Sequence, residues 1–218
     1  MKYVNENGRS MVEMLGVLAI IGVLSVGGIA GYSKAMNKFK INKTTDQVSM
    51  LVANIRTIYS TQGNYEGLDN ETAIKFGVVP NDMIKKDKDD KEGLFNAFGG
   101  TVTIAEAQAR DGSYNEAFTI EYNGLSDEAC VTLATGDWGS GQSSGLLGVA
   151  AQTSDGAAAL LENAYTTGLG EVKPAATTTS AVAVPGGIGA DPTPMPVTKA
   201  VDACAGGGTV NSVAWKYY

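Results

Sequence analysis

The sequence predicts an α+β fold, in which one long N-terminal α-helix packs on a globular head built from an antiparallel β-sheet. The first observation behind this prediction is a helical hydrophobic pattern that continues without proline until Pro80. The second is a later series of short alternating segments, bounded by glycine and polar residues, which is typical of strands. With 218 residues, the chain is long enough for one sizeable domain plus an additional element.

The long helix is predicted from about Ser10 to Gln62, and its two halves differ in character. Residues 14–33 form a run of 20 residues without a charged side chain, which is long enough to span a bilayer. Beyond Ser33 the apolar side chains follow one helical stripe and lysines occupy much of the polar side. Gly63 is expected to end the helix. We therefore expect a membrane-spanning first half and an amphipathic second half.

Two other interpretations fit the apolar run. A cleaved secretory signal usually has an apolar region of about 7–15 residues and a small-x-small cleavage site. This run is longer, and the sequence Ser33-Lys34-Ala35 is a poor cleavage context. An ordinary membrane-anchored domain with a linker helix would also give the same pattern.

A connecting region with one short helix is expected next. Asn70 is the predicted N-cap of a helix over Glu71–Phe76, and Gly77 stops it. The charged run at 85–93 is predicted to be a solvated loop. A calcium-binding loop is disfavoured because Lys91 stands where an oxygen ligand is required.

The sheet is predicted from three segments. Thr101–Ala105 and Ala117–Asn123 are the first two strands, and the second of them alternates large apolar side chains with polar ones. Ser126 is expected to cap a short helix that Gly136 stops. A final strand is expected within 209–218, where aromatic and branched side chains alternate with smaller or polar ones.

Residues 137–195 have a different composition, rich in Gly, Ala, Ser, Thr and Pro, and are predicted to be an insertion in the head. One helix is expected within it, over Asp155–Tyr165. The stretch 174–196 is low in complexity, and an exposed, mobile loop is expected there.

Composition disfavours several classes of function. The net charge of −7 argues against a nucleic-acid partner, which favours a basic surface. The chain has no histidine, so a Ser-His-Asp or Cys-His arrangement is impossible. No phosphate-binding glycine motif precedes a helix. The sequence therefore predicts no enzyme, no catalytic residue, no metal site and no cofactor.

The redox state expected for the two cysteines, Cys130 and Cys204, depends on the cellular compartment of the protein. In the cytosol they would be unpaired thiols, whereas in an exported protein an even count indicates a disulfide. Such a bridge would enclose the whole 137–195 region.

The N-terminus carries the most specific motif, a G-x-x-x-x-E pattern directly before the apolar run. Gly8, Arg9 and Glu13 occupy its positions. With this offset to an uncharged helix, the chain resembles a prepilin of the type IV pilus family. The order of a long helix, a connecting region, an antiparallel sheet and two late cysteines is also similar to that family, and the C-terminal half is similar to its type IVb branch.

The resemblance implies cleavage by a prepilin peptidase between Gly8 and Arg9. The expected parts are then a leader at 1–8, the long helix at 9–62 and the globular head at 63–218. It also implies export, and hence a disulfide between the two cysteines. Arg9 departs from the family pattern, because an apolar residue is common at the mature N-terminus.

The same resemblance gives Glu13 a role in assembly. In a filament, the α-ammonium group of a neighbouring Arg9 would pair with its carboxylate and select one axial register. The alternative is a glutamate that merely stays near the membrane boundary.

The expected function is that of a structural subunit of a bacterial type IV pilus, held in the inner membrane and then polymerised into an extracellular filament. Its expected partners are other pilin subunits, the prepilin peptidase, the inner membrane and the assembly machinery. The alternatives are a minor pilin, a secretion-system pseudopilin, or a membrane-anchored extracytoplasmic binding domain. Four lysines follow the apolar run, and the positive-inside rule alone would place that side in the cytoplasm. The cleavage motif and the cysteine pair favour the opposite orientation.

Overall fold

The computed structural model describes residues 11–86, 90–109, 115–139, 144–163, 180–184 and 193–218. A long helix is followed by an antiparallel sheet with shorter helices, so the predicted α+β class is confirmed. The chain divides into two compact units, and the second unit begins at Lys40.

Helix α1 covers Met11–Tyr59, 49 residues that contain no proline. Its last part lies in the second unit, where Val48, Leu51 and Ile55 are fully buried. The helix ends three residues before the predicted end. A turn follows, and Gly63 adopts a φ of 75°, which a residue with a Cβ rarely takes.

Helix α2 covers Asn70–Lys75, and its N-cap differs from the prediction. Asp69 is the cap, because its side chain accepts a hydrogen bond from the backbone N–H of Thr72 at 2.7 Å. The side chain of Asn70 instead bonds to the backbone of a neighbouring strand: it donates to the Val102 carbonyl and accepts from the Ile104 N–H. Both residues have capping chemistry, and the contact with the strand decides between them.

The charged run at 85–93 is not a plain loop, which corrects the prediction at both of its ends. Strand β1 covers Ile84–Lys86 and strand β2 covers Glu92–Leu94, and they pair antiparallel. Backbone pairing does not need apolar side chains, so the lysines of β1 remain exposed. Residues 87–89, in the middle of the run, lie outside the described residues.

Five strands form the main sheet. They are β3 Val102–Ala107, β4 Ala117–Leu125, β5 Leu146–Gln152, β6 Ser180–Ala183 and β7 Asn211–Tyr217. Each pairs antiparallel with its neighbours in the order β3-β4-β7-β5-β6. The strand predicted near the end of the sequence, β7, therefore lies in the centre of the sheet.

The region 137–195, predicted to be an insertion in the head, supplies strands β5 and β6 of the main sheet. The prediction of an exposed loop over 174–196 is wrong for β6, in which Ala181, Val182 and Ala183 are buried. Residues 174–179 and 185–192 of that stretch lie outside the described residues. The helix expected over Asp155–Tyr165 is present as α4, Ala157–Asn163.

Helix α3, Asp127–Ala134, has the predicted cap, since the Ser126 side chain accepts from the Ala129 N–H. Helix α5, Val197–Cys204, was not predicted. Both helices join the main core, which lies on one face of the sheet together with the buried stripe of α1. Helix α4 covers the opposite face with a smaller core.

Candidate functional site

The first part of α1 carries a surface of exposed apolar side chains. The exposed fraction reaches 82% at Met11 and 69% at Leu24. The mean hydropathy of the most apolar 18-residue window of this helix is 2.2, and none of that window is buried. By length and composition, this helix is long and apolar enough to span a membrane.

Glu13 lies in the first turn of α1, and its side chain is exposed. The backbone N–H groups of a first turn favour a negative charge, so the position suits a carboxylate. The predicted processing residues Gly8 and Arg9 lie outside the described residues, and they are not placed relative to Glu13.

Arg56, near the end of α1, joins the helix to the residue after β7 and to the segment before β5. Its guanidinium group donates to the Ser144 carbonyl at 2.7 Å and to the Tyr218 carbonyl at 2.9 Å. It also lies 5.0 Å from the centre of the Tyr217 ring. Burial raises the pKa of Tyr217 to about 12, which keeps its hydroxyl neutral at physiological pH.

Asp82 joins α1 to the short 3₁₀ turn at Asn81–Met83. Lys43 forms an ion pair with its carboxylate at 2.6 Å, and Gln47 donates a hydrogen bond to the same oxygen at 3.1 Å. The hydrogen bond from Lys43 is the main cause that lowers the pKa of Asp82 below its ordinary value. This contact fixes the connecting region against the amphipathic part of the helix.

The structure contains the disulfide between Cys130 and Cys204, as the resemblance implied. The Cα atoms lie 5.8 Å apart, the separation in sequence is 74 residues, and both residues are fully buried. The bridge joins α3 to α5, so it closes a loop that contains β5, α4 and β6.

Glu121 holds α4 to the sheet, and the sequence analysis did not identify it. Its carboxylate accepts hydrogen bonds from the N–H groups of Gly156 at 2.6 Å and Ala158 at 3.3 Å. The residue is only 6% exposed, so these donors replace water around the charge. The predicted alternation of β4 places Glu121 on the polar face of the strand, so no local signal marked its contact with α4.

Metal chemistry has no support within the described ranges. No group of three or more His, Cys, Asp or Glu side chains is arranged there to hold a metal ion. The most prominent chemical feature of this part of the chain is therefore the exposed apolar surface of α1.

Comparison with known proteins identifies the family. The sequence profile of the PilS N-terminal family matches residues 38–183, well over half of the chain. The toxin coregulated pilin of Vibrio cholerae serotype O1 is 26% identical over 134 residues, which cover 62% of this chain and 59% of that protein. A second toxin coregulated pilin from Vibrio cholerae is 25% identical over 134 residues, with the same coverage of both chains. The chain thus spans about 59% of the length of the curated relatives it matches.

A solved structure shows the same fold. The crystal structure of TcpA, a type IV pilin from the El Tor biotype of Vibrio cholerae, superimposes with a TM-score of 0.54 and 20% sequence identity. The alignment covers 82% of this chain and 99% of that one. The resemblance inferred from the N-terminal motif is confirmed: the chain belongs to the PilS N-terminal family and has the fold of a type IV pilin.

Proposed function

We propose that this chain is a structural subunit of a bacterial type IV pilus, which polymerises through α1 into a surface filament. The observation that carries the proposal is the exposed apolar surface of α1, on a helix whose later part contributes Leu51 and Ile55 to the core of the head. Exposed apolar area of this extent requires a membrane or other apolar helices around it. A pilin subunit meets both environments in turn.

The proposal includes a membrane-bound stage before assembly. Residues 14–33 would span the inner membrane, and the head would lie outside the cytoplasm, where a disulfide persists. A prepilin peptidase would remove the leader 1–8 by cutting between Gly8 and Arg9. The pilus assembly machinery would then extract the subunit, and the partners in the filament would be further copies of the chain.

In this proposal Glu13 sets the register between subunits. After cleavage the new α-ammonium group belongs to Arg9, four residues before Glu13, and charges at this spacing share one face of a helix. In a filament core of apolar helices, the carboxylate would pair with the ammonium group of a neighbouring subunit. A buried charge without a partner is strongly disfavoured, so only the register that forms the pair is populated.

Replacing the carboxylate by its neutral isostere tests this role. Glu13→Gln should still be inserted and cleaved, but the yield of sheared surface filaments should fall by at least about tenfold. A tenfold change corresponds to about 1.4 kcal/mol. Removing one partner of a buried ion pair usually costs more than this, so tenfold is a lower limit. The matched control is Asp46→Asn, which removes an exposed carboxylate from the same helix and should leave the yield unchanged. Normal filament yield from Glu13→Gln at normal subunit levels would reject the register mechanism.

Two observations on native material separate the proposed function from its alternatives. N-terminal sequencing should find Arg9 as the first residue of the mature chain, and an intact Met1 would favour a membrane-anchored binding domain. The chain should also be the most abundant protein of purified filaments. A trace amount in filaments would indicate a minor pilin, and a secretion defect without surface filaments would indicate a pseudopilin.

A further inference from the structure

A groove lies between α3 and α5, the two helices that the disulfide joins. Its volume is about 300 Å³, and it is open to solvent. The groove lies outside the core of the head, because the residues that α5 buries there are Ala200, Ala203 and Cys204, and none of them lines the groove. The groove is lined by Asp127, Glu128, Val131, Thr132, Val201 and Ala205.

The two walls of the groove differ, because α5 contributes only apolar side chains to the lining, whereas α3 contributes Asp127 and Glu128 beside Val131 and Thr132. On α5, Val197 and Val201 stand one turn apart and are 62% and 44% exposed, which places an apolar ridge at the surface. On α3, the first turn supplies Asp127 and Glu128. Asn211 donates a hydrogen bond to Asp127 at 2.7 Å, so the position of this carboxylate is fixed. A suitable occupant therefore presents cations along one edge and apolar side chains along the other.

The segment Tyr32–Phe39 of α1 has this arrangement. At 100° per residue, Lys34 and Lys38 lie on one edge of the helix, while Tyr32 and Phe39 lie on the other. Both aromatic rings are exposed, by 67% and 59%. Between the two edges the helix carries Gly31 and Ala35, also exposed, whose small size allows another surface to approach the backbone closely.

The distribution of charge along the chain supports an encounter between copies. Residues 9–43, which remain after removal of the leader, hold five basic side chains and one acidic side chain, whereas residues 44–218 hold ten and twenty-one. The first part of one copy is thus attracted to the acidic head of another, and this attraction steers association.

We infer that the groove between α3 and α5 binds the segment Tyr32–Phe39 of a second copy of this chain. The lysine edge meets the acidic wall on α3, and the aromatic edge covers the valine ridge on α5. The inference rests on the proposed assembly into a filament and names the surface that receives the helix. The disulfide then has a role beyond stability, because it holds the two walls of a docking groove at a fixed distance.

Photo-crosslinking in assembled filaments tests the contact directly. A p-benzoyl-phenylalanine residue is placed at position 201, and in a control chain at position 210, where Val210 is 53% exposed and outside the groove. After irradiation, mass spectrometry should find peptides that join position 201 to the segment 32–39 of another subunit, and position 210 should not give this product. Crosslinks from position 201 to lipid or to another part of the head, or none above the control, would overturn the inference.

Charge reversal with rescue gives an independent readout. The double variant Lys34→Glu/Lys38→Glu and the single variant Glu128→Lys should each reduce filament yield by about fivefold, the upper range for exposed charge pairs. Combining the three substitutions in one chain should restore the yield. Glu66→Lys makes the same charge change at an exposed site outside the groove and should have no effect.

The outcomes separate this inference from the proposed function. If wild-type chains form filaments but the combined variant is no better than the double variant, the groove contact is wrong and the pilus function stands. If wild-type chains form no filaments, the proposed function and the inference fall together.

Discussion

Removal of the disulfide should cost a large share of the stability of the head. The perturbation is the double variant Cys130→Ala/Cys204→Ala, in which alanine avoids burying a hydroxyl group at these fully buried positions. The bridge joins residues that are 74 apart in sequence. For a loop of this length, the chain-entropy model gives about 4 kcal/mol of stabilisation, because the bridge restricts the unfolded chain. Unfolding stabilities of single domains are about 5–15 kcal/mol, so the loss is easily measured.

The assay is urea unfolding of the detergent-solubilised chain, followed by far-ultraviolet circular dichroism. With a slope of about 2–3 kcal/mol per molar urea, a loss of about 4 kcal/mol lowers the midpoint by about 1–2 M. Wild-type chain with reductant should behave like the double variant. Ser126→Ala, which removes only the cap of α3, should cost about 1 kcal/mol and serves as the control for local fraying. A loss below about 1 kcal/mol in the double variant would refute the argument from loop closure.

Two further predictions concern the contacts of α1 with the head. Leu51→Ala should lower the free energy of unfolding by about 2–5 kcal/mol, because Leu51 is fully buried. The control is Met50→Ala at the adjacent, half-exposed position, which should change this free energy by less than about 0.5 kcal/mol. Equal effects of the two substitutions in urea titrations would contradict the assignment of Leu51 to the buried face of the helix. Since the pKa of Asp82 is lowered in the folded chain, its contribution is present above its ordinary value of 3.8 and is lost as the pH falls through the lowered pKa. The contribution should stay below about 1 kcal/mol, because the side chain is 45% exposed, and Asp82→Asn should reduce the acid-induced loss of stability between about pH 5 and 2 by that amount.

The sequence analysis succeeded for those helices and strands whose formation is determined by residues close to one another in the sequence. Helix α3 was found from Ser126 and the acidic residues after it, because a cap and a first turn are local chemistry. The choice of Asn70 over Asp69 failed for the opposite reason. Either side chain can cap α2, and the contact of Asn70 with β3, more than thirty residues later, is not visible in the local pattern.

Strands β5 and β6 were missed because their composition is that of a flexible segment. In β5, Leu146–Gln152, nearly every residue is buried, since one face contributes to the main core and the other lies under α4. A strand covered on both faces shows a continuous run of small and apolar residues in place of alternation. Helix α5 did have a signal, because Pro196 directly precedes its first residue, a position typical of helix starts.

The candidate site could be predicted only in part. The exposed apolar surface of α1 and the position of Glu13 follow from a pattern within one helix. Glu121 and the groove between α3 and α5 depend on pairing between distant segments, which no local window contains. The disulfide was predicted only through the resemblance, since the residues alone left free thiols as an alternative.

The position of β7 sets the order in which the head can be completed during biogenesis. This strand lies between β4 and β5, yet residues 211–217 follow both of them in the chain. As the polypeptide leaves the ribosome from its N-terminus, β4 and β5 each retain one unpaired edge until β7 is synthesised. Unpaired edges attract other strands, so the unfinished head is the stage most exposed to aggregation and to proteases. Closure of the sheet therefore requires that the chain is available for folding at least as far as Tyr217.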